Sequence, residues 1–204
     1  MRLQPIALMD QPIRSTTRPG AVACLVRAFA APLRMSTNLF EMLQKLTVIA
    51  VCTGNICRSP MAEVILSDAL SKLEPDALVS VTSAGTIDLH SGDDMDPRAR
   101  SALTSMGYRP GRHKAHKLTE QDLTKPLLLL ALDETHATWL RQFVVGTPAY
   151  DAEIHLLMSL SDQNEGTLSV PDPYFGTQSD FQNVGLMIQR AMPGVVRHVG
   201  ERLG

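Results

Sequence analysis

Residues 46–60 read LTVIAVCTGNICRSP, and this stretch decides the fold. Its first part, LTVIAV, is a continuous run of apolar and β-branched residues, which is typical of a strand buried on both faces of a parallel sheet. Two cysteines, a glycine, an asparagine and an arginine then follow within seven positions. The stretch therefore predicts a buried strand that ends directly in a polar loop bearing thiols.

From residue 46 onward, strand patterns alternate with helix patterns. Alternating or continuous apolar runs predict strands, and apolar residues spaced three and four apart predict helices. The predicted strands are 46–52, 79–85, 127–133 and 152–160, and the predicted helices are 62–73, 97–107, 134–144 and 181–195. Pro193 should kink or interrupt the last helix. This alternation predicts a parallel sheet covered by helices on both faces, with its ligand site beyond the carboxyl ends of the strands.

The loop after the first strand has the features of an anion site. Gly54 lets the backbone turn inward, so that successive amide N–H groups can point at one centre. Ser59 and Pro60 suit the cap and the first position of the next helix, whose N-terminus attracts anions. The loop lacks the lysine of GxxxxGK[ST], which argues against ATP or GTP. Arg58 can hold two phosphate oxygens at once.

Cys52 and Arg58 enclose five residues, giving the pattern C-x5-R followed by Ser59. A cysteine in this loop lies in a field that favours the thiolate, which is the nucleophilic form. The pattern alone leaves a second interpretation open, because free cysteines commonly serve as small buried apolar residues.

Composition narrows the function classes. The formal net charge of -2 and the short apolar runs, the longest being LLLLAL at 127–132, predict no nucleic-acid or membrane partner. Three cysteines do not make a disulfide framework, so we expect a cytoplasmic protein.

Residues 1–34 carry five arginines and one acidic residue. We interpret residues 1–45 as a poorly ordered extension, which an over-long start would explain, and 46–204 as the functional domain.

The motifs VCTGNICRSPMAE, TSAGT, DPRA, HKAHKLT, LALD and DPYFG occur in this order. Together they resemble the low-molecular-weight protein-tyrosine-phosphatase family, and the resemblance covers roughly residues 46 to 203. It implies an α/β fold: a single-domain, Rossmann-like three-layer sandwich around a four-stranded parallel sheet. It also implies hydrolysis of phosphoprotein substrates without a metal or other cofactor. We expect a monomer.

The resemblance also implies a role for each matching residue, in four groups. The catalytic residues are Cys52 as nucleophile, Arg58 as phosphate clamp and Asp172 as proton donor. The phosphate-binding loop is Thr53, Gly54, Asn55, Ile56, Cys57 and Ser59, with Cys57 as a partner that could trap oxidised Cys52. The supporting polar network adds Ser83 and His113. The substrate walls are Thr53, Leu89, Tyr174 and Phe175.

Three alternatives to a tyrosine phosphatase stay open. Thr53, where many members have Leu or Ile, resembles the branch of protein-arginine phosphatases, whereas the pair Tyr174 and Phe175 favours a phenyl ring. An arsenate reductase would need further cysteines after Cys57, and the sequence has none there. A phosphate-binding module without turnover would be expected to lack Cys52 or Asp172, and both are present.

Overall fold

The computed structural model describes residues 46–73, 79–123, 127–163 and 166–203. The predicted extension over 1–45 lies outside the described residues. The described chain alternates strands with helices. The strands are β1 (Leu46–Cys52), β2 (Val79–Gly85), β3 (Leu127–Ala131) and β4 (Glu153–Leu156), and the helices are α1 (Arg58–Leu73), α2 (Pro97–Ser105), α3 (Glu134–Phe143) and α4 (Gln178–Leu203). Short 3₁₀ turns cover Glu120–Asp122 and Leu157–Leu160.

The four strands form one parallel sheet in the order β2-β1-β3-β4. The central strand β1 is buried on both faces: Val48 and Ala50 pack with α1, α2 and α4, whereas Ile49 and Val51 pack with α3. The predicted α/β three-layer sandwich with four parallel strands is confirmed. Among the described residues, no helix is both long and apolar enough to cross a membrane.

Both later strands are shorter than predicted. β3 ends at Ala131 because the chain turns there to let Asp133 cap α3, where its carboxylate accepts a hydrogen bond from the His136 amide at 2.9 Å. Ala131 pairs with Leu156, so β4 has no strand partner beyond that residue. The chain continues from Leu157 as a 3₁₀ turn, and the prediction of a strand through residue 160 was wrong for this reason.

Helix α1 begins two residues before Pro60, its predicted first position, and four before the predicted apolar pattern at residue 62. Arg58 is its first residue, so Ser59 lies inside the first turn and is not the cap. Pro60 fits there because the first amides of a helix have no intrahelical acceptor. The Ser59 hydroxyl is consequently available to the loop.

Helix α4 runs without interruption through Pro193, contrary to the expected break. The residues around the proline, Ala191, Met192 and Val195, are buried, so packing against the core holds the segment helical although one hydrogen bond is lost. A Cβ at Gly194 would lie 1.7 Å from the Leu160 carbonyl oxygen, which shows how closely this helix approaches the 3₁₀ turn.

Candidate active site

The loop between β1 and α1 lies at the carboxyl end of the sheet, as expected for an open α/β fold. The end of β2 supports it from below. The Thr86 amide donates to the carbonyls of Cys52 and Thr53, both at 2.9 Å. A Cβ at Gly85 would lie 2.7 Å from the Thr53 carbonyl oxygen, so only glycine allows the two backbones to approach this closely.

Cys52 ends β1 and is buried, with a free thiol. Its sulfur lies 3.0 Å from the Ser59 hydroxyl, which is also 3.2 Å from the Ala84 carbonyl oxygen. Because the hydroxyl carries one hydrogen, it can donate either to the carbonyl or to a thiolate at Cys52. The Ser59 hydroxyl is therefore placed to stabilise a thiolate at Cys52.

Asn55 holds the shape of the loop. Its φ of 56° is the only positive value of a non-glycine residue in the described part of the chain. The buried side-chain amide donates to the hydroxyls of Ser59 at 3.0 Å and Ser83 at 2.9 Å, and its oxygen accepts from the His116 amide at 3.0 Å. His113 donates from Nε2 to the Asn55 carbonyl at 2.7 Å. The predicted network is thus assembled around one strained residue.

Arg58 is buried and connects two carboxylates from separate parts of the chain. Nη1 donates to Asp133 Oδ2 at 2.8 Å and to the Val170 carbonyl at 3.2 Å. Nη2 donates to Asp172 Oδ2 at 2.7 Å. Asp133 is mostly buried and Asp172 is half exposed, so Asp133 fixes the guanidinium from within while Asp172 reaches it from the solvent side.

Thr53 contacts a buried histidine that the motifs did not single out. Its Oγ1 lies 2.9 Å from His136 Nε2 and 3.4 Å from Arg58 Nη2. Burial lowers the pKa of His136 to about 4, and the Arg58 charge adds to this while Asp133 opposes it. The ring is therefore neutral near pH 7. His136 Nδ1 lies 3.0 Å from Asp133 Oδ1, although the two are not aligned as a hydrogen bond. We therefore assign the ring proton to Nδ1, beside the carboxylate, so that Nε2 accepts a hydrogen bond from the Thr53 hydroxyl.

Asp133 is the charged neighbour of this histidine. Burial works against its ionised form, yet hydrogen bonds from the Thr135 hydroxyl, the His136 amide and Arg58 hold the pKa of Asp133 below its usual range. Asp133 is therefore a carboxylate that balances the buried Arg58 charge at neutral pH.

Cys57 is buried at the end of the loop, beside Cys52 in the same apolar cluster. Burial, with the negative charge of Asp96 as a second cause, raises the pKa of the Cys57 thiol far above its usual range. A protonated thiol is a poor nucleophile, so this surrounding gives no help to the predicted trapping of oxidised Cys52.

The walls of the pocket above the loop are apolar and exposed. Ile87, Leu89, Tyr174 and Phe175 are four of the eight large hydrophobic side chains that are exposed among the described residues. The rings of Tyr174 and Phe175 meet edge to face, with centroids 5.0 Å apart, so Phe175 stands 97% exposed at the mouth. The predicted wall residues therefore line one pocket.

All the predicted loop, catalytic and wall residues except Asn55 and Ser59 line this pocket, and those two lie buried under it together with Ser83. Four residues of this region were not predicted from the sequence: Asp133, His136, Ile87 and His90. Asp133 had a usable signal, since it follows a buried strand and suits a helix cap. His136 had none, because its contact with Thr53 joins residues 83 positions apart.

Three comparisons identify relatives of this chain. The sequence model described as low molecular weight phosphotyrosine protein phosphatase matches residues 47–203. Low molecular weight protein-tyrosine phosphatase A of Mycobacterium tuberculosis is 44% identical over 164 residues, which is 79% of this chain and 96% of the relative.

Among solved structures, a low molecular weight phosphotyrosine phosphatase from Vibrio cholerae is 32% identical, with a TM-score of 0.67 over 77% of this chain and 98% of its own. An arginine phosphatase of Drosophila is 28% identical, with a TM-score of 0.68 over 74% and 96%. The match to the family model, the identity to the mycobacterial relative and the shared fold agree. This chain belongs to the low molecular weight phosphotyrosine protein phosphatase family.

Proposed function

We propose that this protein is a protein-tyrosine phosphatase that hydrolyses phosphotyrosine in phosphoproteins through a cysteinyl-phosphate intermediate. The observation that carries the proposal is the meeting of three groups in one pocket: a thiol at the end of β1, the guanidinium of Arg58 and the carboxyl group of Asp172. These are the nucleophile, the anion clamp and the proton donor that such a reaction requires.

The first half-reaction transfers the phosphoryl group to sulfur. The Cys52 thiolate attacks phosphorus, an S–P bond forms and the P–O bond to the leaving group breaks. Arg58 and the loop amides hold the equatorial oxygens, where the transition-state charge is spread. Asp172 gives its proton to the leaving oxygen and becomes a carboxylate, which can then renew the 2.7 Å contact with Arg58.

The second half-reaction returns the enzyme to its starting state. Water attacks phosphorus, Asp172 accepts the proton of that water, and the S–P bond breaks to release inorganic phosphate. The departing sulfur becomes a thiolate again. The Ser59 hydroxyl, 3.0 Å from the sulfur, stabilises that thiolate by donating a hydrogen bond to it.

Phosphotyrosine is favoured by the walls. A phenyl ring entering the pocket would contact the side chains of Tyr174 and Ile87, which line it together with Cys52. Aromatic side chains gain about 0.5–1.5 kcal/mol from edge-to-face or offset contacts beyond simple burial. The relatives named as tyrosine phosphatases support the same substrate class.

Phosphoarginine is a second candidate because of Thr53. Its hydroxyl is directed by His136, at 2.9 Å, so that the oxygen keeps lone pairs for an N–H donor of the substrate. A guanidinium group offers such donors and a phenyl ring does not. The Drosophila arginine phosphatase is also structurally similar.

Rates on matched peptides separate the two. Initial rates are measured on a phosphotyrosine and a phosphoarginine peptide of the same flanking sequence, without added metal, for wild type, Thr53→Leu and the isosteric control Thr53→Val. We expect wild type to prefer phosphotyrosine and both variants to change the preference little. A wild-type preference for phosphoarginine that Val and Leu both abolish would replace the tyrosine assignment. Activity lost reversibly with a chelator would overturn the metal-free mechanism.

A trapping experiment distinguishes an enzyme from a phosphate-binding module. Rapid acid quench during turnover should give protein carrying one phosphate on Cys52, and Cys52→Ser should lose turnover while still binding inorganic phosphate. If no phosphoprotein forms and ligand returns intact, the chain is a binding module. A cytoplasmic location and a monomeric state stay predictions.

A further inference from the structure

We propose that Glu153, His155 and His198 form a Zn²⁺ site, separate from the phosphatase pocket and independent of the proposed function. The two histidines and the carboxylate bring three ligand atoms within 4.8 Å of one another, where β4 faces the C-terminal helix α4. Nothing in the proposed reaction uses these residues. The bound ion would link the edge strand β4 to helix α4.

The backbone explains why these side chains converge. Glu153 and His155 are two residues apart on β4, so they point to the same face of the edge strand. His198 lies on the buried side of α4, which packs against this region. Glu153 opens β4, and the phosphatase loop follows the opposite, carboxyl ends of the strands. The two sites are therefore at opposite ends of the sheet.

The three ligand atoms meet at a single carboxylate oxygen. Glu153 Oε1 lies 2.7 Å from His155 Nε2 and 2.8 Å from His198 Nε2. In a tetrahedral zinc site with bonds of about 2.0 Å, ligand atoms are about 3.3 Å apart. The two distances from Glu153 Oε1 would therefore lengthen by about 0.5 Å, and the two ring nitrogens, which lie within 4.8 Å of each other, would take the same spacing when the ion binds.

Hydrogen bonding leaves part of this cluster unsatisfied. His198 Nε2 is buried, and despite its short distance to Glu153 it has no partner of acceptable hydrogen-bond geometry within the described residues. A buried ring nitrogen without a partner destabilises the folded protein. A metal ion between the three side chains would satisfy this nitrogen, whose lone pair lies in the ring plane.

Arg202 gives the cluster an outer partner. Its Nη1 lies 3.1 Å from Glu153 Oε2, the oxygen that does not face the histidines. This contact is an ion pair that is not aligned as a hydrogen bond, and it places positive charge beside the carboxylate while Oε1 faces the ring nitrogens. Two imidazoles exclude Ca²⁺ and Mg²⁺, which prefer oxygen ligands, and suit Zn²⁺ with water in the fourth position.

The test measures zinc binding and its ligands on the full chain freed of metal by chelator dialysis. Zn²⁺ is titrated calorimetrically into wild type, into the His155→Gln/His198→Gln double variant and into His116→Gln. The last is a matched control, because His116 also faces a carboxylate, Asp122 at 3.8 Å, but has no second histidine there. We expect one ion per chain in wild type and control, and a loss of affinity of about 100-fold or more in the double variant.

Two further readouts exclude binding at the active-site thiols. Co²⁺ substituted into wild type should show visible bands of a nitrogen and oxygen site without a near-ultraviolet thiolate band, and Zn²⁺ should raise the melting temperature of wild type but not of the double variant. Unchanged affinity in the double variant, a thiolate band, or no zinc binding at all would each overturn the proposal. If the double variant does not fold, Glu153→Gln and the wild-type Co²⁺ spectrum decide.

Discussion

The pocket has a floor and a rim, which differ in burial and in hydrogen bonding. The floor is Cys52 with the buried Asn55 and Ser59 beneath it, and the rim is Leu89 and Phe175. The floor residues are buried and joined by hydrogen bonds of 3.0 Å. The rim residues are 77% and 97% exposed and pack little against the remaining described chain. The floor therefore fixes where a phosphate can be attacked, whereas the rim can change with little effect on folding.

Asp172 connects the two regions, since its side chain is half exposed but contacts the buried Arg58. We predict the largest effect for Asp172→Ala, a decrease of about 10²–10⁴ in kcat/KM for aryl phosphates with poor leaving groups. The reason is that only poor leaving groups need its proton in the first half-reaction. The measurement is kcat/KM across a series of leaving-group pKa values, with wild type as reference, because kcat/KM does not include the later attack of water, in which Asp172 acts as the base.

Equal slowing across the series would remove Asp172 from the acid role. Asp172→Asn serves as the control for shape, because it keeps the size of the side chain and cannot donate a carboxyl proton. Its rates should depend on the leaving-group pKa in the same way as those of the Ala variant.

The second prediction tests the floor at its strained residue. Asn55→Ala should lower the free energy of unfolding by about 3 kcal/mol and reduce kcat, because it loses the amide hydrogen bonds and places alanine at φ 56°. Asn55→Gly should recover only the part of the lost stability that comes from backbone strain, since glycine adopts this φ without strain. Chemical denaturation and kcat of both variants give the comparison. If Gly restored full activity, the hydrogen bonds to Ser59 and Ser83 would be unnecessary for the floor.

The floor and the rim also differ in how far the sequence predicts them. The alternation of strand and helix patterns predicts the parallel sheet, and the C-x5-R spacing points to Cys52 and Arg58, because these signals are local or follow from strand order. The four strands and the role of Asp172 were predicted only through the family resemblance that the motif order carries. Boundaries were less predictable: β4 ends at Leu156 because its partner β3 ends, which depends on a capping residue elsewhere in the chain.

Contacts across long separations could not be predicted from the sequence. Thr53 and His136 meet only because β1 and β3 are neighbours in the sheet. Helix α4 continues through Pro193 because tertiary packing outweighs the local preference. The Glu153 and His198 cluster similarly joins an edge strand to a helix residue 45 positions later in the chain.

The third prediction concerns the pH dependence of the buried layer beneath the pocket. The pKa of His136 is about 4 in the fold and about 6.5 when unfolded. Between pH 6.5 and pH 4 the imidazole of His136 is protonated in the unfolded chain but neutral in the fold. The free energy of unfolding therefore falls as the pH decreases from 6.5 toward 4, and above pH 6.5 this titration has no effect on it. By pH 5 the loss should reach about 2 kcal/mol.

The measurement is the free energy of unfolding of wild type and His136→Gln at pH 7 and pH 5. The difference between the two proteins should shrink on acidification, because the variant has no imidazole to titrate. The exposed His116→Gln variant is the control, and it should keep the wild-type pH dependence. A constant difference from pH 7 to pH 5 would contradict a neutral buried His136.

The smallest effect is expected at the rim. Phe175→Ala should leave the free energy of unfolding within about 0.5 kcal/mol of wild type, because a side chain that is 97% exposed loses little packing. It should raise KM for a phosphotyrosine peptide by about 2- to 12-fold, the equivalent of one aromatic contact, with kcat unchanged.

Tyr150→Ala is the matched control for that prediction, since Tyr150 is 72% exposed and does not line the pocket. The comparison also tests the substrate class. A phosphoarginine peptide offers no phenyl ring for edge-to-face contact, so its KM should respond less to Phe175→Ala than that of phosphotyrosine. If Phe175→Ala lowered kcat and KM together, the rim would be coupled to the chemical step, and the separation between a fixed floor and an adjustable rim would not hold.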